Sequence, residues 1–195
     1  LLGARRFETW ELWPAIAVGV ILLGLMPYVK TLRFRALLVV SWVAAAAWTT
    51  SGAASDGLSA LAAPMRRASE YRAALPDLDH APAHFLRTYT SALPRYPTQV
   101  KGHPPLPVLV LWAWEKVGFH GPGWSAALVI AVGTSSVVAV AITVKALTDA
   151  DQARRLLPFL VLAPATAWLA TSMDAFFVGV AAWGVTLATL AASRP

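Results

Sequence analysis

The chain has 195 residues, of which 57% are hydrophobic and only 13% are charged, and its formal net charge is +6. Soluble domains average about 45–50% apolar and about 25% charged residues, so this chain has too little polar surface to cover itself in water. It contains no cysteine, which excludes disulfides, thiol catalysis, iron–sulfur clusters and cysteine-ligated zinc. The basic residues are divided among short segments instead of forming one patch with aromatic residues, which argues against nucleic acid as a partner.

Uncharged apolar runs predict membrane-spanning helices along most of the chain. In chain order they are residues 13–29, 36–50, 121–144, 156–173 and 175–192. The last three reach the roughly 18 residues that a helix needs to cross a bilayer, and the first two are at the short end of that range. Lys30, Arg33 and Arg35 lie between the first two runs, as is typical of a cytoplasmic loop.

The segment 51–103 then follows the second helix on the opposite, extracytoplasmic side. A loop of this length in a small membrane protein usually has a function or a structure of its own. Short helices are predicted at 69–75 and 84–93, because prolines flank both segments and the second has apolar residues at helical spacing. The second helix could lie flat on the membrane or pack on top of the bundle.

Residues 104–114 form an apolar run too short to cross the bilayer unaided, so two topologies are open. The helix could extend to Gly118 and span, or it could enter the membrane and return, buried among its neighbours. We favour the second topology, because it places Lys145, Arg154 and Arg155 on the cytoplasmic side and brings Asp174 to the side of the long loop.

The sequence therefore predicts an all-α, polytopic bundle of about five to six membrane helices, one of them half-length, with a large extracytoplasmic loop containing short helices. We expect a multi-pass protein of the plasma membrane in which residues 1–195 form a single membrane domain in contact with the lipid bilayer. Because the chain starts at Leu1 and stops at Pro195 just after a helix, we also expect it to be part of a longer protein.

Two features carry candidate chemistry. In the segment 96–106, a His-Pro-Pro-Leu turn leads into an apolar helix, so His103 is expected at the membrane interface. Asp174 separates two apolar runs, where an acid is costly unless it is hydrated or paired. It is either functional or a turn residue that caps the following helix. A divalent metal could be bound by Asp77, Asp79, His80 and His84, although solvated turn charges are the ordinary explanation.

These residues resemble the GT-C superfamily of membrane glycosyltransferases, which take sugars from polyprenyl-phosphate donors. The resemblance consists of Asp56 just after a helix, the His103-Pro104-Pro105-Leu106 turn at the end of a large loop, and the stretch 170–177 around Asp174. The resemblance covers about residues 34–192. Over this range the sequence is similar to membrane proteins of actinobacteria. The resemblance implies transfer of a sugar to an extracytoplasmic acceptor in the cell envelope.

On this resemblance the candidate catalytic residues are Asp56, Glu70 and Asp174. Transfer from a lipid phosphate needs a carboxylate that deprotonates the acceptor hydroxyl, for which Asp56 is the first choice and Glu70 the reserve. The departing phosphate needs cationic or hydrogen-bonding partners, and the candidate substrate-binding residues are Arg95, Tyr96, Lys101 and His103.

Two other classes of function are compatible with the sequence. A non-catalytic membrane subunit could use the same loop to bind lipid-phosphate head groups. A transporter, or a fragment of one, could use Asp174 for a coupled ion or proton, although no inverted repeat is evident.

Overall fold

The structure is a computed structural model that describes residues 13–54, 57–163 and 170–193. It confirms the all-α prediction, and no strand occurs in these ranges. The α-helices are α1 (Trp13–Leu25), α2 (Phe34–Ala53), α3 (Leu75–His80), α4 (Pro82–Ala92), α5 (Thr98–Lys101), α6 (Leu106–Lys116), α7 (Pro122–Thr134), α8 (Ser136–Leu147), α9 (Ala150–Val161) and α10 (Met173–Ala192). Short 3-10 helices lie at Met26–Lys30, Leu58–Ala62, Pro64–Arg66, Tyr71–Ala74 and Leu93–Arg95.

Four helical stretches within these ranges are long and apolar enough to cross a membrane, which identifies a membrane protein. They are Trp13–Lys30, Phe34–Ala53, Pro122–Leu147 and Met173–Ala192. Large apolar side chains point outward along them, among them Val39, Val43, Val185 and Leu187. Apolar outer faces of this kind suit a lipid environment, where they need no polar cover. The apolar helix α6 and the amphipathic helix α9 are each only about half as long as a spanning helix.

Helix α2 runs antiparallel to the nearly continuous pair α7 and α8. The ring centroid of Phe34, at the start of α2, lies 4.7 Å from the ammonium of Lys145 near the end of α8. Farther along, the indole of Trp42 donates a 3.0 Å hydrogen bond to the carbonyl of Ala131 in α7. The bundle therefore has a basic end, at the start of α2, and a loop end, where α2 leads into the long polar segment.

Helix α10 packs against α7 and α8 through small residues. A β-carbon on Gly133 would lie 2.9 Å from that of Ala175, and one on Gly179 would lie 2.2 Å from the carbonyl oxygen of Val132. The glycines thus let the backbones approach closely, as is common between membrane helices. Farther along, Thr186 bonds the Ala139 carbonyl at 2.9 Å, so α10 starts toward the loop end and runs alongside α8.

The long loop folds back onto the bundle as a compact cap, which we define as residues 58–103. Its buried side chains form one hydrophobic cluster with residues of α6, α7 and α10. Phe85, Leu78 and Val100 are among the fully buried members. Each Å² of apolar surface that is removed from water stabilises the folded state by about 25 cal/mol, so this burial holds the cap on the helices.

The half-length helix α6 meets the cap at both ends. The turn before it packs on Tyr71, and at its end Glu115 forms an ion pair with Arg72 while Lys116 bonds Asp79 at 2.9 Å. Both ends therefore lie with the cap, in agreement with the topology in which this segment does not cross the membrane.

Several boundaries differ from the sequence prediction. Helix α2 continues to Ala53, so the loop starts later than residue 51. Instead of one helix over 69–75, the cap has a 3-10 turn followed by α3, because Pro76 suits the first turn of a new helix. Helix α9 starts at Ala150, before the apolar run, because the Asp149 carboxylate accepts a 2.8 Å hydrogen bond from the Gln152 amide and caps the helix.

Candidate functional site

The turn that carries His103 is held by hydrogen bonds within the cap. The imidazole Nδ1 lies 2.9 Å from the Gln99 carbonyl, which can only accept, so Nδ1 carries the proton and Nε2 remains for another partner. The Tyr89 hydroxyl lies 2.6 Å from the carbonyls of both Val100 and His103. These contacts fix the imidazole just ahead of α6, as the His-Pro-Pro turn predicts.

Two aromatic rings from distant parts of the chain enclose this imidazole. The ring of Phe177, in the first turns of α10, stacks on it at a centroid distance of 5.6 Å and an angle of 21°. Tyr71, from the cap, contacts it edge-on at 5.7 Å. Tyr71 and Phe177 also contact each other at 6.5 Å. The imidazole therefore sits where the cap meets the start of α10.

Two carboxylates flank the same junction. Glu70 precedes Tyr71 in the cap, and Asp174 lies in the first turn of α10, one helical turn before Phe177. The pKa of Glu70 is raised above its ordinary value, mainly because burial disfavours the charged form; Arg67 opposes this shift and the charge of Asp174 adds to it. The charge of Asp174 therefore lies close enough to favour the protonated form of Glu70.

Tyr71 lies in the same electrostatic environment. The pKa of Tyr71 is raised to about 12, mainly by burial and also by the negative charges of Asp174 and Glu70. The phenol is thus a neutral hydrogen-bond donor at physiological pH. Tyr71, Glu70, His103, Asp174 and Phe177 together form what we term the junction site.

Asp174 lies at the loop end of α10, on the side of the cap. Its side chain is exposed and accepts a 3.3 Å hydrogen bond from the Ser172 hydroxyl. Ser172, not Asp174, occupies the N-cap position, and Asp174 follows in the first turn. The expectation that Asp174 caps the following helix is therefore wrong. A carboxylate in the first turn still interacts favourably with the helix dipole.

The other predicted site residues lie apart from this junction or outside the described ranges. Asp56, the first choice for the base, lies outside the described residues. Lys101 is exposed on α5. Tyr96 is buried in the cap, where its ring packs at 5.4 Å against both Phe85 and Tyr89. Because Tyr89 bonds the His103 carbonyl, the packing of Tyr96 against Tyr89 stabilises the turn that carries His103.

Arg95 faces a separate surface groove of about 610 Å³ on the cap. Its polar lining consists of Asp77, His84, Thr88, Ser91 and Arg95, over a floor that includes Phe85 and Tyr96. The Thr88 and Ser91 hydroxyls donate to carbonyls of their own helix, at 2.8 Å and 2.9 Å, which leaves their lone pairs as acceptors. The groove thus offers a cation, an anion and hydroxyl acceptors together.

The described residues provide no ready metal site. No three His, Asp or Glu side chains come together within these ranges. Asp79, one of the suggested ligands, instead accepts hydrogen bonds from the Trp112 indole at 3.0 Å and from the Lys116 ammonium at 2.9 Å. This carboxylate connects α3 to the end of α6.

Sequence reasoning did not identify the two aromatic residues that complete the junction. Tyr71 and Phe177 are separated by about half of the chain, so no local pattern reports their contact with His103. The available signal was their position, since each lies within a helical turn of an acid already considered, Glu70 and Asp174. Both are aromatic residues beside a candidate acid, and both acids lie at the same membrane face.

Comparisons of the chain with protein-family models, with curated proteins and with solved structures found no match. Function therefore has to be argued from the chemistry of the junction site. That site combines two interacting carboxylates, an imidazole with a free ring nitrogen and a neutral phenol, at the end of an apolar helix. These groups can accept a proton from a hydroxyl and can donate hydrogen bonds to an anion.

Proposed function

We propose that the chain is a membrane glycosyltransferase, or the catalytic part of one, that transfers a sugar from a polyprenyl-phosphate donor to an acceptor on the side of the cap. The observation that carries the proposal is the junction site itself, where rings within a helical turn of Glu70 and Asp174 in the chain, Tyr71 and Phe177, enclose the His103 imidazole. The resemblance to the GT-C superfamily at Asp56, at the His-Pro-Pro turn and around Asp174 points to the same chemistry.

In the proposed reaction a carboxylate takes the proton of the acceptor hydroxyl while the hydroxyl oxygen attacks the anomeric carbon of the sugar. The bond between that carbon and the phosphate oxygen breaks, and polyprenyl phosphate leaves with the electron pair. A raised pKa makes a carboxylate a better proton acceptor, which favours Glu70 for this role within the described residues. Asp56 remains a candidate base on the strength of the resemblance.

The departing phosphate gains negative charge and needs hydrogen-bond donors nearby. The neutral Tyr71 hydroxyl is suited to this role, and the exposed Lys101 could add a cation from α5. With the proton of His103 on Nδ1, its Nε2 carries a lone pair and can instead accept a hydrogen bond from a substrate hydroxyl. The polyprenyl chain of the donor would remain among the apolar helices, since the junction site lies at the start of a membrane-spanning helix.

The proposal is tested by transfer of radiolabelled sugar from a panel of polyprenyl-phosphate sugars in membranes containing the chain. We expect Glu70→Gln, Asp174→Asn and Asp56→Asn each to reduce transfer, by about 10²–10⁴-fold for whichever acid is the base. The matched control is Asp149→Asn, which changes an acid at the basic end of the bundle, where Asn caps a helix as well as Asp does.

Transfer that is unchanged in all three acid variants would overturn the proposal. Equal loss in the Asp149→Asn control would assign the effect to folding instead of chemistry. Binding of the donor by wild-type chain, without transfer to any acceptor, would favour a non-catalytic subunit that holds lipid-phosphate head groups.

A further inference from the structure

A basic pocket lies at the end of the bundle opposite the cap. It has a volume of about 540 Å³ and is lined by Met26, Val29, Lys30, Asp151, Arg154, Arg155 and Pro158. Three cations thus face a single acid across the space between the end of α1 and the start of α9. Within the described ranges, the ion pairs join Arg72 to Glu115 and Lys116 to Asp79, so none neutralises this pocket.

The Arg154 side chain of this pocket is held in place by contacts on two sides. The Arg154 guanidinium donates a 2.7 Å hydrogen bond to the Val29 carbonyl, which ties α9 to the 3-10 turn after α1. The same guanidinium lies 5.8 Å from the centroid of the Phe34 ring, and the Lys145 ammonium lies 4.7 Å from that centroid. Cation–π contacts of this kind hold both charges in place beside the pocket.

An apolar groove continues from this pocket into the bundle. The groove has a volume of about 100 Å³ and shares Met26, Val29 and Pro158 with the basic pocket. Leu22, Leu37 and Leu157 form part of its wall, between α1, α2 and α9. The basic pocket thus continues directly into an apolar groove that extends into the membrane region.

We infer that this pocket and groove bind an anionic glycerophospholipid, with the phosphate at Lys30, Arg154 and Arg155 and an acyl chain along the groove. Basic pockets between membrane helices on the cytoplasmic side are suited to anionic head groups. The positive-inside rule alone accounts for the sign of the charge at this end. It does not account for an anchored arginine at the mouth of an apolar groove, which suits a ligand that is anionic at one end and apolar at the other.

Native mass spectrometry of the purified full chain in detergent tests this site, with phosphatidylglycerol and phosphatidylcholine of identical acyl chains as probes. We expect phosphatidylglycerol to bind more tightly, and the double variant Lys30→Gln/Arg155→Gln to weaken its binding by about tenfold or more. The matched control is Arg66→Gln/Arg87→Gln, which removes two exposed charges from the cap that bond only backbone carbonyls.

The groove is tested separately by Ala44→Leu, which narrows it without changing charge. This variant should weaken binding of long-chain phosphatidylglycerol and leave dihexanoyl phosphatidylglycerol unaffected. Equal weakening by the two charge-removing double variants would mean that only net charge matters, and it would overturn the inference. Complete displacement of the lipid by millimolar inorganic phosphate would also overturn it, since the site would then recognise an anion alone. None of these results depends on sugar transfer.

Discussion

At the scale of single residues, the influence of the Asp174 charge on Glu70 leads to a direct prediction. Asp174→Asn removes a negative charge that favours the protonated form of Glu70, so the pKa of Glu70 should fall toward its ordinary value. The chain has only four glutamates, at positions 8, 11, 70 and 115. Glutamate labelled with ¹³C at the carboxyl carbon therefore gives few resonances, and Glu70→Gln assigns the relevant one in a pH titration.

The same shift links Glu70 to stability. Because its pKa is higher in the folded chain than in the unfolded chain, its contribution to stability is present at pH values below 4.5 and is lost as the pH rises through the folded value. Glu70→Gln should therefore match or exceed the wild type in thermal stability at pH 7, and the gain should shrink as the pH falls. A Glu70 titration that does not respond to Asp174→Asn would mean that the two acids lie too far apart to interact.

At the scale of secondary structure elements, the crossing of α7 and α10 determines where Phe177 and Asp174 lie. Gly179→Ala places a methyl group 2.2 Å from the backbone oxygen of Val132, which cannot move aside as a flexible side chain could. Overpacking of this kind costs about 1–3 kcal/mol. We expect a clearly lower thermal midpoint for this variant in detergent solution.

Gly184, on the same helix, is the matched control. A β-carbon there meets nothing within 4 Å, so Gly184→Ala should be neutral or stabilising by up to about 1 kcal/mol through helix propensity. The steric clash in Gly179→Ala should also move Phe177 away from His103. Equal effects of the two substitutions would show that the helices do not cross at Gly179.

The elements differ in how far the sequence could predict them. The uncharged runs predicted α2, the pair α7 and α8, and α10, because a membrane helix must be apolar along its length. The same criterion was wrong for the run 156–173, since α9 ends at Val161 and Met173 begins α10. It also missed the start of α9, because charged residues lie in its first turns, where only the cap at Asp149 indicates a helix. The prolines around the cap predicted its interruptions but not the type of each short helix.

The candidate site was predictable to a similar extent. The His-Pro-Pro turn placed His103 at the start of a helix, and counting membrane crossings brought Asp174 to the side of the loop. The contact of His103 with Tyr71 and Phe177 depends on how the cap folds onto α10, which no local pattern encodes. The ion pair of Arg72 with Glu115 is a long-range contact of the same kind.

At the scale of the whole molecule, the junction site can form only if α6 returns to the side of the cap instead of crossing the membrane. The absence of cysteine makes this directly testable with single-cysteine variants. Val117, just after α6, is 67% exposed, and Ala83 is exposed on the cap. Thr31 and Thr148 are exposed at the basic end. We expect a membrane-impermeant maleimide, applied from one side, to label positions 83 and 117 together and positions 31 and 148 only from the other side.

The physical reason is the charge pairing at the end of α6. If this helix crossed the bilayer, Glu115 and Lys116 would lie across the membrane from Arg72 and Asp79, and neither ion pair could form. The cysteine-free chain controls for background labelling, and permeabilised membranes show that all four positions are reactive. Labelling of position 117 together with position 31, and of position 148 together with position 83, would reverse the direction of every later helix. Asp174 would then lie on the side away from the cap, and the junction site could not exist.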